Sequence, residues 1–283
     1  WTRSSCLRET NYFCIKVKEA EVDGRVLRRL ILDRLVHSYS SLEDPTELQY
    51  GYERTYAELV AYAYEARDRE GLRTFFIGGG GYTFPRYVAA VYPGSVVDVT
   101  EIDPGVTEVA YAHLGLPADG SVTTYNEDAR VFLERPVSQT YDIIFGDAFN
   151  DFSVPYHLTT KAFNDRVRAW LAEDGLYIVN VIDGALRRFL PAYVRTLQET
   201  FEYVYVVPNA TAWRTVARDT FVIVASDEPL DLSRFEADSR FLTGVLAPEV
   251  VDGLLAEGRQ VILTDRYAPV EQMLAPVYLG RTN

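Results

Sequence analysis

Four consecutive glycines, Gly78, Gly79, Gly80 and Gly81, close the apolar run Phe75-Phe76-Ile77. Glycine permits a tight turn and lets the backbone come close to a ligand. Glu101 follows 20 residues after Gly81, at the end of the apolar stretch SVVDVTEID. At about that separation an acid meets ribose hydroxyls in nucleotide-binding folds. Two further acidic strand ends follow: Asp128 in NEDARVFL, and Asp147 in YDIIFGDAFND, with Asn150 and Asp151 close behind. Asp128 can accept from an adenine amino group or cap the helix after it. The loop departs from GxGxxG because Tyr82-Thr83-Phe84-Pro85 replaces the last glycine, and Pro85 is expected to interrupt the early helix. A pyrophosphate needs an unbroken helix N-terminus, so this loop suits a nucleoside without phosphates.

These acids can act together only if strands present them along one edge. Strand-like and helical segments alternate from TYAELVAYAYEAR through RTFFI, SVVDVTEID, VTEVAYAHLGL and YDIIFGDA to KAFNDRVRAWLAEDG, LYIVNVI and LPAYVRTLQETF. That alternation predicts an α/β fold with a doubly wound, mostly parallel sheet. Ligands of such sheets bind beyond the carboxyl ends of the strands. Only a loop separates YVYVVP from TFVIVAS, so the last strand is expected to be antiparallel. Upstream, YFCIKVKEAEVDGRVLRRLILD predicts a small N-terminal β-hairpin turning at Asp23-Gly24. Three zones follow: a hairpin region over 1–45, a Rossmann-like domain over 46–226 and a helical extension over 227–283.

Acids outnumber bases 41 to 28, a net charge of −13. A surface this acidic repels phosphate backbones and argues against nucleic acid as a partner, while it attracts cations. Cys6 and Cys14 show neither metal-ligand spacing nor a disulfide framework, which fits a reducing, cytoplasmic setting. No apolar run reaches the roughly 18 residues of a membrane span. No phosphate loop ending in Lys-Ser/Thr, no GxSxG and no metal cluster is present in the sequence. The chain begins at Trp1 and its single methionine is Met273, so a preceding segment is expected.

Over residues 8–226 the chain resembles the polyamine aminopropyltransferases, the spermidine and spermine synthases of the class I methyltransferase-like fold. The resemblance is carried by ETNYFCIKV, RRLILDRLVHS, FFIGGGGYTFPR, TEIDPGV, NEDARVFL and YDIIFGDAFNDFSVPYHLTTKAF. A further segment, VILTDRYAPV, is similar to one in synthase-like domains that follow a multi-span membrane region in some bacterial proteins. The resemblance implies an adenosyl-sulfonium donor, either S-adenosylmethionine or its decarboxylated form, no metal, and a polyamine or related amine acceptor. It assigns Glu101 to the ribose hydroxyls, Asp128 with Ala129 to adenine, and Asp147 to orienting and deprotonating the attacking amine. Tyr52 with Glu53, or Tyr50, would line the amine channel, and His37 stands where the family carries a glutamine. The hairpin zone would supply contacts between copies of the chain.

Chemistry adds roles for the residues around Asp147. Alkylamines have a pKa near 10.4, so only about one in a thousand is neutral at pH 7. Acids such as Asp151 or Glu53 would hold distal ammonium groups. An aromatic wall from Phe149, Phe152 and Tyr156 would disfavour charge on the attacking nitrogen. His157, Asp265 and Tyr267 are further candidates to line or cover this region. Two positions depart from the family pattern. Gly81 stands where the family has the acid that binds the aminopropyl ammonium, and Asn150 stands where it has a second loop acid. Ordinary S-adenosylmethionine-dependent methyl transfer and a non-catalytic sensing role therefore stay open.

Overall fold

The computed structural model describes residues 6–67, 70–148 and 154–278. The N-terminal stretch forms a four-stranded antiparallel sheet of β1 (Arg8–Glu9), β2 (Cys14–Val22), β3 (Arg25–Leu32) and β4 (Leu35–Ser40), in that order. Asp23 and Gly24 connect the Val22–Arg25 pair with φ of 50° and 77°. Two successive positive φ values are what a tight hairpin turn of this type demands, and Asp-Gly supplies them cheaply. The predicted hairpin is thus present, extended by one strand on each side.

One expectation for this region is overturned. Cys6 and Cys14 are joined by a disulfide, with Cα atoms 5.3 Å apart. Their spacing gave no hint of it, because the pairing depends on β1 folding back along β2, with Leu7 N donating to Ile15 O.

The chain then runs through α1 (Gly51–Glu65), β5 (Arg73–Ile77), α2 (Thr83–Val91), β6 (Val96–Thr100), α3 (Pro104–His113), β7 (Thr123–Tyr125) and α4 (Ala129–Leu133). It continues through β8 (Tyr141–Gly146), α5 (Lys161–Trp170), β9 (Leu171–Gly184), α6 (Leu190–Gln198), β10 (Tyr203–Pro208) and β11 (Arg218–Ser226). Short helices follow, among them α7 (Arg240–Gly244), α8 (Pro248–Glu257) and α9 (Val270–Tyr278). The seven-stranded sheet has the order β10-β11-β9-β8-β5-β6-β7, with β11 antiparallel to both β9 and β10. This is the doubly wound, class I methyltransferase-like sheet with an antiparallel last strand. The helix read through Gly175 stops at Trp170, because Leu171 already pairs with Tyr141.

Contacts divide the chain into two units, residues 1–50 with 69–132, and residues 51–68 with 133–283. In the first, parallel β5, β6 and β7 bury Phe75, Ile77, Val97 and Val99, and α3 buries Val106 and Val109. In the second, β8 is buried along its whole length. α1 lays Tyr56, Leu59, Val60 and Ala63, spaced three or four apart, over β8, β9 and β11. Beyond its last turn, Arg67 forms a buried ion pair with Asp142 at 2.9 Å, near the start of β8. That anchor runs α1 antiparallel to β8, so its first turn lies at the strand's carboxyl end.

Candidate functional site

In the first unit the glycine loop leaves β5 through alternating left-handed residues, Gly78 at φ 98°, Gly80 at 48° and Tyr82 at 54°. Such values are costly for residues with a Cβ. Tyr82 tolerates its conformation because its ring is fully buried and its hydroxyl bonds Thr107 Oγ1 at 2.9 Å. Contrary to expectation, Pro85 does not interrupt α2; it sits in the first turn, where a missing N–H leaves no bond unmade.

The loop closes on Glu101. Oε2 accepts from Gly79 N at 2.9 Å and Gly80 N at 3.1 Å, and Oε1 accepts from Asp103 N at 2.9 Å. Burial pushes the Glu101 carboxyl upward and these amides oppose the shift. A carboxylate offers about four lone-pair sites, so three amides leave an acceptor for a diol hydroxyl. The other two acids at these strand ends cap helices. Asp103 takes Gly105 N at 2.8 Å and Thr10 Oγ1 at 2.6 Å. Asp128 takes Arg130 N at 2.7 Å, just before Ala129 opens α4.

Gly81 has an ordinary backbone conformation, so space rather than φ keeps it small. A Cβ there would overlap Ser38 Oγ and lie 2.6 Å from Ser38 Cβ. Ser38, on β4 beside His37, is 5% exposed, and its hydroxyl has no hydrogen-bond partner among the described residues. Its neighbour Ser40 bonds Thr83 Oγ1 at 2.9 Å, and Thr83 donates to Tyr39 O at 3.1 Å. Arg86 fixes this junction by donating to Ser41 O and Leu114 O. The position that carries an acid in the family pattern is thus backed by a buried serine hydroxyl. Sequence reading singled out His37 and missed Ser38.

In the second unit Asp147 follows β8. Asn180 Nδ2, from β9, donates to Asp147 Oδ1 at 2.8 Å, and the Tyr52 hydroxyl of α1 also bonds this carboxylate. Desolvation raises the Asp147 pKa to about 6, while the Asn180 and Tyr52 bonds hold it down. Tyr52 meets Tyr56 edge-on at 5.4 Å, and Tyr56 in turn packs on Phe145 at 5.1 Å. Glu53 is 3% exposed in the same first turn. Burial, and then the charges of Asp147 and Glu53, push the Tyr56 phenol far up, so it stays neutral. Asn180 was missed in the sequence; its signal was one polar residue inside the apolar strand LYIVNVI.

Tyr50 belongs to the first unit, its hydroxyl 3.4 Å from Val36 O, while Tyr52 bonds Asp147. Tyr156 is 51% exposed, edge-on to His157. Asp265 accepts from Thr160 Oγ1 at 2.7 Å, and Lys161 N donates to Leu263 O. That turn therefore pins the start of α5, and Tyr267 points outward at 58% exposure. Phe149, Asn150, Asp151 and Phe152 lie outside the described residues.

The glycine loop, the strand-end glutamate it closes on and the seven-stranded order define a class I methyltransferase-like fold. No family model matches the chain. It is 34% identical over 110 residues to a polyamine aminopropyltransferase of Vibrio vulnificus, covering 38% of this chain and 37% of that protein. The match thus spans little more than a third of that relative. A second polyamine aminopropyltransferase, from Chromobacterium violaceum, is 24% identical over 194 residues, 68% of this chain and 72% of the relative. A solved probable spermidine synthase from Corynebacterium glutamicum superposes with a TM-score of 0.78 at 23% identity, over 93% of this chain and 97% of that one. Human methyltransferase-like protein 13, solved in complex with SAH, superposes at 0.51 with 20% identity, over 78% of this chain and 99% of that one. The chain is thus similar to polyamine aminopropyltransferases over part of its length, and its fold is that of the solved spermidine synthase.

Proposed function

We propose that this protein transfers an aminopropyl group from decarboxylated S-adenosylmethionine to a polyamine-type amine. The observation that carries this reading is the Asp147 carboxylate, held by Tyr52 and Asn180 with its pKa raised to about 6. It is strong enough as a base to take a proton, yet still mostly ionised at neutral pH. Glu101 fits the ribose of an adenosyl group, since its carboxylate, already holding the Gly79 and Gly80 amides, keeps a lone pair for a hydroxyl. The donor supplies a carbon activated by the adjacent sulfonium. The amine nitrogen bonds to that carbon, the C–S bond breaks, and its electron pair leaves with the neutral thioether. Asp147 accepts the proton that the nitrogen sheds. Tyr52 and Asn180 fix the carboxylate's direction, and Glu53 supplies negative charge for a second ammonium. The activity test is incubation with decarboxylated S-adenosylmethionine and a short diamine, followed by mass spectrometry of both products. Thioether and extended amine formed in equal amounts support the reading; no turnover while the donor binds overturns it.

A second reading, methyl transfer from ordinary S-adenosylmethionine, is favoured by Gly81. With no acid there, nothing at that position repels the carboxylate of that donor, and the Ser38 hydroxyl behind it can donate as well as accept. Methylated rather than aminopropylated product in the same assay would select this reading.

Glu101 carries a separate expectation. Glu101→Gln replaces an acceptor that gathers three amides with a group that must turn a donor toward some of them. Loss of a charged hydrogen bond corresponds to roughly tenfold or more in affinity. Calorimetry with methylthioadenosine should show at least that weakening; unchanged affinity would remove Glu101 from the ribose.

A further inference from the structure

Within the second unit, at the carboxyl end of β9, lies a pocket of ≈ 430 Å³. Its walls come from the loop after β9, the loop between β10 and β11, and the end of α8. Four arginines line it, Arg187, Arg188, Arg214 and Arg259, against one acid, Glu257. The lining is thus basic in a chain of net charge −13, with Asp183 and Asp219 acting on Arg187 from behind it.

Arg187 builds the pocket. It is 8% exposed and adopts φ 43°, a left-handed conformation rare outside glycine. Its Nη1 donates to the main-chain carbonyls of Asp183 and Gly184, and its Nη2 to that of Trp213. The side chain therefore ties two of the three walls together. Its buried Nε has no hydrogen-bond partner among the described residues. The guanidinium lies 5.0 Å from the Phe221 ring centroid, and Arg214 covers the Trp213 ring at 4.4 Å. Planar guanidinium groups held on aromatic faces lose little further freedom when they bind an anion.

The remaining arginines are exposed. Among the described residues no carboxylate pairs with Arg188, Arg214 or Arg259, whereas Arg67, Arg168 and Arg234 of the same unit each have one. Unpaired guanidinium groups converging on one concavity match the forked recognition of phosphate oxygens. A polyamine would be repelled by the same surface.

We infer that this pocket binds a small phosphate-bearing anion, at a site separate from the Asp147 carboxylate. The inference does not depend on the transfer reaction. Its test is calorimetry of the whole chain at constant ionic strength with orthophosphate, pyrophosphate and adenosine monophosphate in turn. Saturable binding of at least one is expected. Preference for pyrophosphate over adenosine monophosphate would mark an inorganic ligand, and the reverse an organic ester. The double variant Arg188→Gln/Arg259→Gln, whose changes lie on exposed side chains, should weaken that binding by roughly tenfold or more. Its melting temperature and its affinity for methylthioadenosine should match the parent. No saturable binding by any probe, or equal binding by the double variant, overturns the inference. A parallel loss of methylthioadenosine affinity also overturns it, because the arginines would then act on the nucleoside.

Discussion

Asp147→Asn should lower the rate of transfer to an amine by roughly 10²- to 10⁴-fold, the usual contribution of a positioned general base. The variant keeps the shape and a side-chain oxygen facing Asn180 Nδ2, so it removes the base with little change in packing. The pH profile gives the sharper reading. With the carboxyl pKa raised to about 6, only about one molecule in ten carries the base form at pH 5. The parent rate should climb through pH 6 and keep rising more gently as more amine becomes neutral. Asp147→Asn should lose the step near pH 6 and keep only the amine-dependent rise.

Stability should move the other way. A carboxyl whose folded pKa lies above its unfolded value destabilises the fold once ionised, and that cost grows from about pH 4 to pH 6 and then levels. The variant should therefore be as stable as the parent, or more stable by up to about 2 kcal/mol, above pH 6; the residue's partial exposure keeps the figure modest. Urea titrations at pH 5 and pH 7.5 would show this. An inactive variant that also melts early at pH 7.5 would point to a structural role for Asp147 instead.

How far the sequence revealed this site depended on whether the determining interactions were local. The Asp23-Gly24 turn was legible because a two-residue hairpin states its own φ requirements. Glu101 was legible because a glycine turn and the next strand end lie at a fixed spacing in parallel βαβ units. Asp103 and Asp128 share that placement and also cap helices, since an acid before a helix can serve both purposes. Asn180 depends on the register that pairs Gly146 with Val179, which no local pattern states. Ser38 depends on how closely β4 approaches the glycine loop, a tertiary distance. The Cys6–Cys14 bond depends likewise on a strand too short to announce itself.

Placing an acid at position 81 should change both stability and donor preference. Gly81→Asp alone should be destabilising by about 1–3 kcal/mol, the usual range for overpacking. Rotating the Ser38 hydroxyl away relieves one overlap, but Ser38 Cβ at 2.6 Å from the new Cβ cannot rotate. Ser38→Ala would therefore fail to rescue, whereas Ser38→Gly should. Ser40 Oγ, at 3.4 Å, is the next neighbour and stands at a tolerable distance. The double variant Ser38→Gly/Gly81→Asp should recover most of the lost stability, a coupling expected of residues in direct contact. It also places a carboxylate where the present protein offers none. A carboxylate attracts the ammonium of the decarboxylated donor and repels the carboxylate of S-adenosylmethionine, so specificity would arise from attraction and repulsion together. The ratio of affinities for the two donors should shift by roughly tenfold or more toward the decarboxylated form. Calorimetry on the parent and the double variant measures that ratio directly. A folded double variant with the parental ratio would show that position 81 does not face the donor's tail, and Ser38 would then be a packing residue alone.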